Sequence, residues 1–227
     1  MFVAEKPAMK TGNLLAVADV HIGITKDIKD RGIYIPSQVN SLAARINDLK
    51  RQTGTEKLVI LGDVKHRIPA ASWQEEEEIP RFFSLLNFED IVIVKGNHDG
   101  RIERMVPENV VVRKTYSYGK YAFTHGHRKV NTKKQIIVIG HNQPHVLFRD
   151  EMKARYTEPV WVKGPLRKPY KNKGIIIMPA FNELSGATLV NKDVLLGPIA
   201  KCLDKKRAHC YLLDGTDLGV ISDLWLK

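Results

Sequence analysis

The chain has 227 residues, enough to bury one sizeable core, so a single domain over residues 1–227 is expected. Lys and Arg number 36 against 25 Asp and Glu, and the net charge of +11 favours a polyanionic partner such as nucleic acid over a small neutral substrate. No apolar run approaches the ~20 residues that span a bilayer, the amino terminus lacks the apolar core of a secretory signal, and Cys202 and Cys210 are too few for a disulfide framework; a cytoplasmic protein with reduced thiols and no membrane partner is expected.

Leu14 to Ala18 reads as a strand running into Asp19-Val20-His21. A polar loop with Gly23 and Gly32 then leads to Pro36-Ser37, where Ser37 is expected to cap a helix. Its apolar positions Val39, Leu42, Ala43, Ile46 and Leu49 share one face, and Gly54 stops it. Lys57 to Leu61 is a second strand, followed by Gly62-Asp63 and His66. Ser72-Trp73-Gln74-Glu75 fits a capping box, so Glu75 to Glu78 are expected as a solvated helix start rather than a metal site. Pro80 is expected to kink or restart that helix before Phe82, Phe83, Leu85 and Leu86. Asp90 to Val94 is a third strand and gives way to the tight polar turn Gly96-Asn97-His98-Asp99, with Asp99 supporting the turn.

From about Val110 the pattern becomes mostly strands: Val110 to Val112, a hairpin of Tyr116 to Tyr118 and Tyr121 to Thr124, then Gln135 to Ile139, His145 to Phe148, Val160 to Val162, Ile175 to Met178, His209 to Leu213 and Leu218 to Ile221. A βαβαβ half followed by a mainly β half predicts an α/β fold, a four-layer α/β/β/α sandwich of two mixed sheets with helices outside. Between Lys153 and Lys173, Arg155, Lys163, Arg167, Lys168 and Lys171 are interleaved with Tyr156, Trp161 and Tyr170. Two readings fit: a nucleic-acid-binding rim, with Arg155, Lys163, Arg167 and Lys168 on phosphates, or an exposed loop with a few anchored aromatics.

Five apolar runs therefore end in groups that bind metals, at the strand edge where open α/β sheets keep their sites. Two divalent ions a few ångströms apart bind phosphate oxygens and a bridging hydroxide, and a carboxylate must bridge them. Asp63 can reach both ions, Asp19 and His21 can complete one, and Asn97, His125 and His141 the other. Mixed oxygen and imidazole ligation suits manganese, iron, zinc or nickel. His98 would face the open side, where an imidazole protonates a leaving oxygen. His127 is either a substrate neighbour or a packed histidine, and Asn182 either faces the cleft or serves a turn.

Asp19-x-His21, Gly62-Asp63, Gly96-Asn97-His98-Asp99, His125 and Gly140-His141, in this order, resemble the motifs of the calcineurin-like metallophosphoesterases. The resemblance implies a four-layer sandwich that hydrolyses phosphomonoesters or phosphodiesters with two divalent metals, and His98 as the catalytic histidine acting as general acid. It assigns Asp19 and His21 to the first metal, Asp63 to both, and Asn97, His125 and His141 to the second. His66, three residues after Asp63, is similar to the Gly-Asp-x-x-His of SbcD-type DNA-repair nucleases; the likeness implies phosphodiesters and makes His66 a second expected catalytic residue beside His98. The chain also looks like the small archaeal phosphoesterases related to that nuclease, a likeness that leaves room for a helicase or ATPase partner. It departs from the family at the last motif, Gly-His-x-His, where it has Gln143. Gln143 ligates weakly, or His145 or water takes its place. Three functions are weighed: a manganese-dependent nuclease or phosphodiesterase on DNA or RNA, a small-molecule phosphatase or cyclic-nucleotide phosphodiesterase, and a non-catalytic scaffold invited by Gln143.

Overall fold

A computed structural model describes residues 1–225. Its first sheet is built from β1 (Met9–Thr11), β2 (Leu14–Ala18), β3 (Lys57–Leu61), β4 (Asp90–Val94) and β5 (Val110–Arg113), in that spatial order. β2 to β5 run parallel and β1 is antiparallel at the edge. The crossovers are α2 (Val39–Thr53) and α3 (Trp73–Leu85), preceded by a short α1 (Ile24–Asp30).

Strand alternation divides this sheet into two faces. Leu15, Val17, Leu58, Ile60, Ile91 and Ile93 pack under α2 and α3 with Leu42, Ile46, Ile79 and Phe82. Leu14, Ala16, Ala18, Val59, Leu61, Val92 and Val94 face the opposite way, onto a second sheet.

That sheet takes in β6 (Tyr116–Tyr118), β7 (Tyr121–Phe123), β8 (Ile136–Ile139), β9 (Pro144–Arg149), β10 (Arg155–Pro165), β11 (Gly174–Ile177) and β12 (Thr188–Leu189), ordered β12-β9-β10-β11-β8-β7-β6. β13 (His209–Leu212) adds to β10, and β14 (Asp217–Val220) to β13. Phe123, Val138, Trp161 and Ile176 fill the space between the sheets. Ile137, Ile139, Val162, Ile175 and Ile177 face outward, under Leu195, Leu203 and the single-turn helix α4 (Gly197–Ala200). The fold is the α/β/β/α sandwich with two mixed sheets, its outermost layer reduced to one helical turn and the loops beside it.

Several local expectations change. The loop between Gly23 and Gly32 contains α1, whose first-turn residues Ile24 and Thr25 are buried although no side chain caps it. Gln38, not Ser37, is the N-cap of α2, which has no side-chain cap, while Gly54 ends the helix in the left-handed conformation. α3 runs unbroken through Pro80. Glu75 and Glu78 are buried, not solvated. The capping box is present, and the Glu75 carboxylate also accepts from the backbone N–H groups of His66 (2.8 Å) and Arg67 (2.7 Å), tying α3 to the loop after β3. β5 closes the first sheet rather than opening the second, and the segment from Lys153 is largely the long strand β10, not a loop. Among the described residues no helix is long and apolar enough to cross a membrane.

Candidate metal centre

The carboxyl ends of β2, β3 and β4 in one sheet and of β7 and β8 in the other converge on one edge. The loops after β2 and β3 are tied together by main-chain bonds, His21 N–H to the Asp63 carbonyl (2.8 Å), Ile22 N–H to that of Val64 (2.7 Å) and His66 N–H to that of Ile22 (3.0 Å). Asp99 is wholly buried, and its carboxylate accepts from Val64 N–H (2.8 Å), Lys65 N–H (3.2 Å) and Gly96 N–H (2.8 Å). It joins the turn after β4 to the loop after β3. Asn182 serves a turn: its amide donates to the Val20 carbonyl (2.8 Å) and its side-chain oxygen accepts from Leu184 N–H (3.0 Å).

Asp19, His21, Asp63, His141 and Gln143 all have positive φ, between 45° and 67°. Such conformations cost about 1–3 kcal/mol each in side-chain-bearing residues and persist where surrounding structure fixes them, characteristically at functional sites. The turns also need bare backbone. A methyl group on Gly140 would sit 2.6 Å from an Asp19 carboxylate oxygen, and one on Gly96 would collide with the Asp63 carboxylate.

Two triads have all their ligand atoms within 4.8 Å of one another, Asp19-His21-Asp63 and Asp63-His125-His141, with Asp63 common to both. His125 donates through Nδ1 to the Leu61 carbonyl (2.8 Å), which aims Nε2 at Asp63 Oδ2 (3.2 Å) and Asn97 Oδ1 (3.2 Å). His98 N–H donates to Asp63 Oδ1 (2.9 Å), and its Nδ1 faces the His66 carbonyl, leaving Nε2 4.0 Å from Asp63 Oδ2. His21, His66 and His98 form a third cluster, and His66 Nε2 pairs with Asp27 of α1 (3.2 Å).

Burial governs the charges. It pushes Asp19 up to about 7, though His125 acts the other way, and it pushes His21 down to about 3 and His127 and His141 down to about 4, leaving these imidazoles neutral with a lone pair to give. For Asp63 burial is opposed and outweighed by the His125 hydrogen bond and charge, so its carboxyl lies well below the usual range. His125 is correspondingly raised to about 9, the Asp63 bond overcoming desolvation. Two buried carboxylates, neutral imidazoles and an amide oxygen converging on shared points fit divalent cations: a metal would take the place of the proton on His125 Nε2 between Asp63 and Asn97.

Not every residue singled out in the sequence lies here. The Gln143 amide nitrogen is 2.8 Å from His21 Nε2, so the side chain reaches the first triad but presents its donor there. His145 turns to the Gln143 carbonyl (3.0 Å). His127 stands beside the second triad, its ring 5.3 Å from that of His125. Lys163 pairs with Ile176, level with Val138 in β8, whereas Pro165 pairs with Gly174 at the end of β8 and β11 opposite His141, and Arg167 follows it, bonded to Asp204 (2.8 Å). Arg167 and Lys168 therefore lie beyond the end remote from the metal centre, because β10 runs antiparallel to β11, while Lys163 stands between that end and the centre. Arg155 lies on the β9–β10 hairpin four residues beyond Pro159, the partner of His145, and about 13 Å farther along the strand. His209 pairs with Asp217 (3.0 Å) between β13 and β14. What the sequence reading missed near the site is a group of cations, Lys95, Lys114, Arg128 and Lys129, lining a cleft beside His127. The one local signal was the run His127-Arg128-Lys129, separated from His125 by Gly126 alone.

A family model described as calcineurin-like phosphoesterase matches residues 12–227. Among solved structures, Pseudomonas putida nuclease MPE superposes with a TM-score of 0.56 at 22% identity, covering 93% of this chain and 91% of that one. Yfce, a phosphoesterase from E. coli, gives 0.42 at 18% identity, covering 91% and 96%. A search of curated proteins finds no match.

Proposed function

The chain belongs to the calcineurin-like phosphoesterase family, a metal-dependent hydrolase by that membership, and we propose that it is a two-metal phosphodiesterase whose substrate is nucleic acid. The observation that carries this reading is the position of Asp63 in both ligand triads. Asp19 and His21, with Gln143 beside them, would hold one ion; Asn97, His125 and His141 would hold the other. Bound there, divalent ions, manganese foremost, would supply Lewis acidity toward phosphoryl oxygens and make water a stronger acid.

The chain's own groups supply the rest. His98, anchored by its backbone on Asp63 and by Nδ1 on the His66 carbonyl, keeps Nε2 free to give a proton to the leaving oxygen. His66 is a positioning residue: its carbonyl aims His98 while its ring is steadied by Asp27. The phosphodiester reading is supported by the spacing of His66 after Asp63 and by the charge of +11, which favours a polyanion. A second reading, a scaffold with one metal or none, is favoured by Gln143 alone, whose amide donor faces His21.

Cleavage of a labelled oligonucleotide with manganese tests the proposal. Asp63→Asn and His98→Ala are each expected to lower the rate by ~100-fold or more, a few kcal/mol of lost transition-state stabilisation. Unchanged cleavage in both would assign the activity to a contaminant. Fewer than one rebindable ion per chain would favour the scaffold.

A further inference from the structure

Beside the second triad, the turn after β4, the start of β6 and the loop after β7 enclose a cleft of about 280 Å³ lined by Lys95, Lys114, Thr115, Thr124, His127, Arg128 and Lys129. Gly96 and Thr124 also line it, directly before Asn97 and His125, and the His127 ring is 5.3 Å from that of His125, so the cleft flanks the metal centre. Four of its side chains are cationic and none is acidic. Lys95 is paired with Glu103 (2.6 Å), whereas Lys114, Arg128 and Lys129 are exposed and form no ion pair among the described residues. His127 adds a buried Nδ1 without a hydrogen-bond partner. Mutual repulsion of three unpaired cations around a concave surface is unfavourable unless an anion joins them.

We infer that this cleft binds the phosphate next to the scissile one, and so selects a chain of phosphodiesters over an isolated phosphoester. The inference rests on the proposed phosphodiesterase reading and names the substrate feature that the site recognises. Lys114, Arg128 and Lys129 neutralise the backbone, and Arg128 offers the planar fork that suits two phosphate oxygens. A larger cationic cleft of about 480 Å³, lined by Lys163, Lys171, Lys173 and Arg207, lies at the opposite end of β8 and β11 and serves as the internal control.

The test compares wild type, Lys114→Glu/Arg128→Glu and, as the control, Lys171→Glu/Arg207→Glu, all as full-length protein. Binding of a fluorescent single-stranded oligonucleotide is followed by anisotropy in EDTA across a salt series, and kcat/KM is measured with manganese for the oligonucleotide and for a chromogenic diester. Lys114→Glu/Arg128→Glu should weaken oligonucleotide binding roughly tenfold and lower the salt slope by about 1.4, as expected for two lost phosphate contacts on a single strand. The ratio of oligonucleotide to diester kcat/KM should fall by a similar factor, with the control ratio within about twofold of wild type. Lys114→Arg, which keeps the charge and leaves Arg128 in place, should behave as wild type.

Oligonucleotide binding unaltered in Lys114→Glu/Arg128→Glu, or weakened as much in the control, would overturn the inference. Weakened binding in a protein that hydrolyses neither substrate would support the cleft and sink the hydrolytic reading. Hydrolysis of both substrates with the ratio unmoved would do the reverse.

Discussion

At the scale of single residues the centre is a contest between protons and cations. Although burial works against it, the bond to Asp63, with Asp63, Asp19 and the Leu61 carbonyl close by, raises His125 to about 9, and a metal in the place of its proton must expel it. Metal affinity should therefore rise from pH 6 to 9, and calorimetric titration in buffers of different ionisation enthalpy should register proton release at pH 7.5. Gln143 sits where the family pattern has histidine; Gln143→His should raise the affinity for the weaker ion by roughly tenfold or more, measured as metal retained after dialysis. The candidate ligands Asp19, Asp63, His125 and His141 were legible in the sequence because they follow, at once or after one glycine, apolar runs that read as strands. The cations of the flanking cleft were not. Lys95, Lys114 and Arg128 come from three separate segments, and nothing local marks them as neighbours.

At the scale of elements, the sheet edges and α3 hold the centre in shape. Ser72→Ala removes the cap of α3 and should cost about 1 kcal/mol in denaturant unfolding. Glu75→Ala should cost about 2 kcal/mol, since it takes the shared acceptor from the partly buried backbone N–H groups of His66, Arg67 and Ser72 together. The sequence announced the capping box, but that pattern is the same for a solvated glutamate and a buried one, so the second task of Glu75 was hidden. The short α1 escaped for a related reason: seven residues with no capping side chain leave too little periodicity to read. The basic residues between Lys153 and Lys173 look like one patch along the chain, yet the direction of β10 carries Arg167 and Lys168 to the far edge and Arg155 past the opposite one. Strand direction in a mixed sheet depends on partners distant in sequence.

At the scale of the whole molecule, the two halves of the chain contribute one sheet each, and the site exists only where their edges meet. The sandwich could be read from the change of βαβαβ into repeated strands, whereas the reduced outer layer could not, since its segment packs as loops and one helical turn. Metal-free stability should fall as pH rises from 7 to 9. His125, raised from 6.5 to about 9, contributes stability that is full below pH 6.5 and lost on approach to 9; Asp19, raised to about 7, has by then lost its proton as well. The lowered histidines act in the opposite sense only below about 6.5, so they do not offset this fall. Thermal unfolding in EDTA should show it as a drop of a few degrees, reversed by manganese. The most direct measurement is anomalous diffraction from crystals soaked in manganese. The account predicts two peaks flanking the Asp63 carboxylate, one near Asp19 and His21 and one near Asn97, His125 and His141; a single peak, or peaks not shared by Asp63, would contradict it.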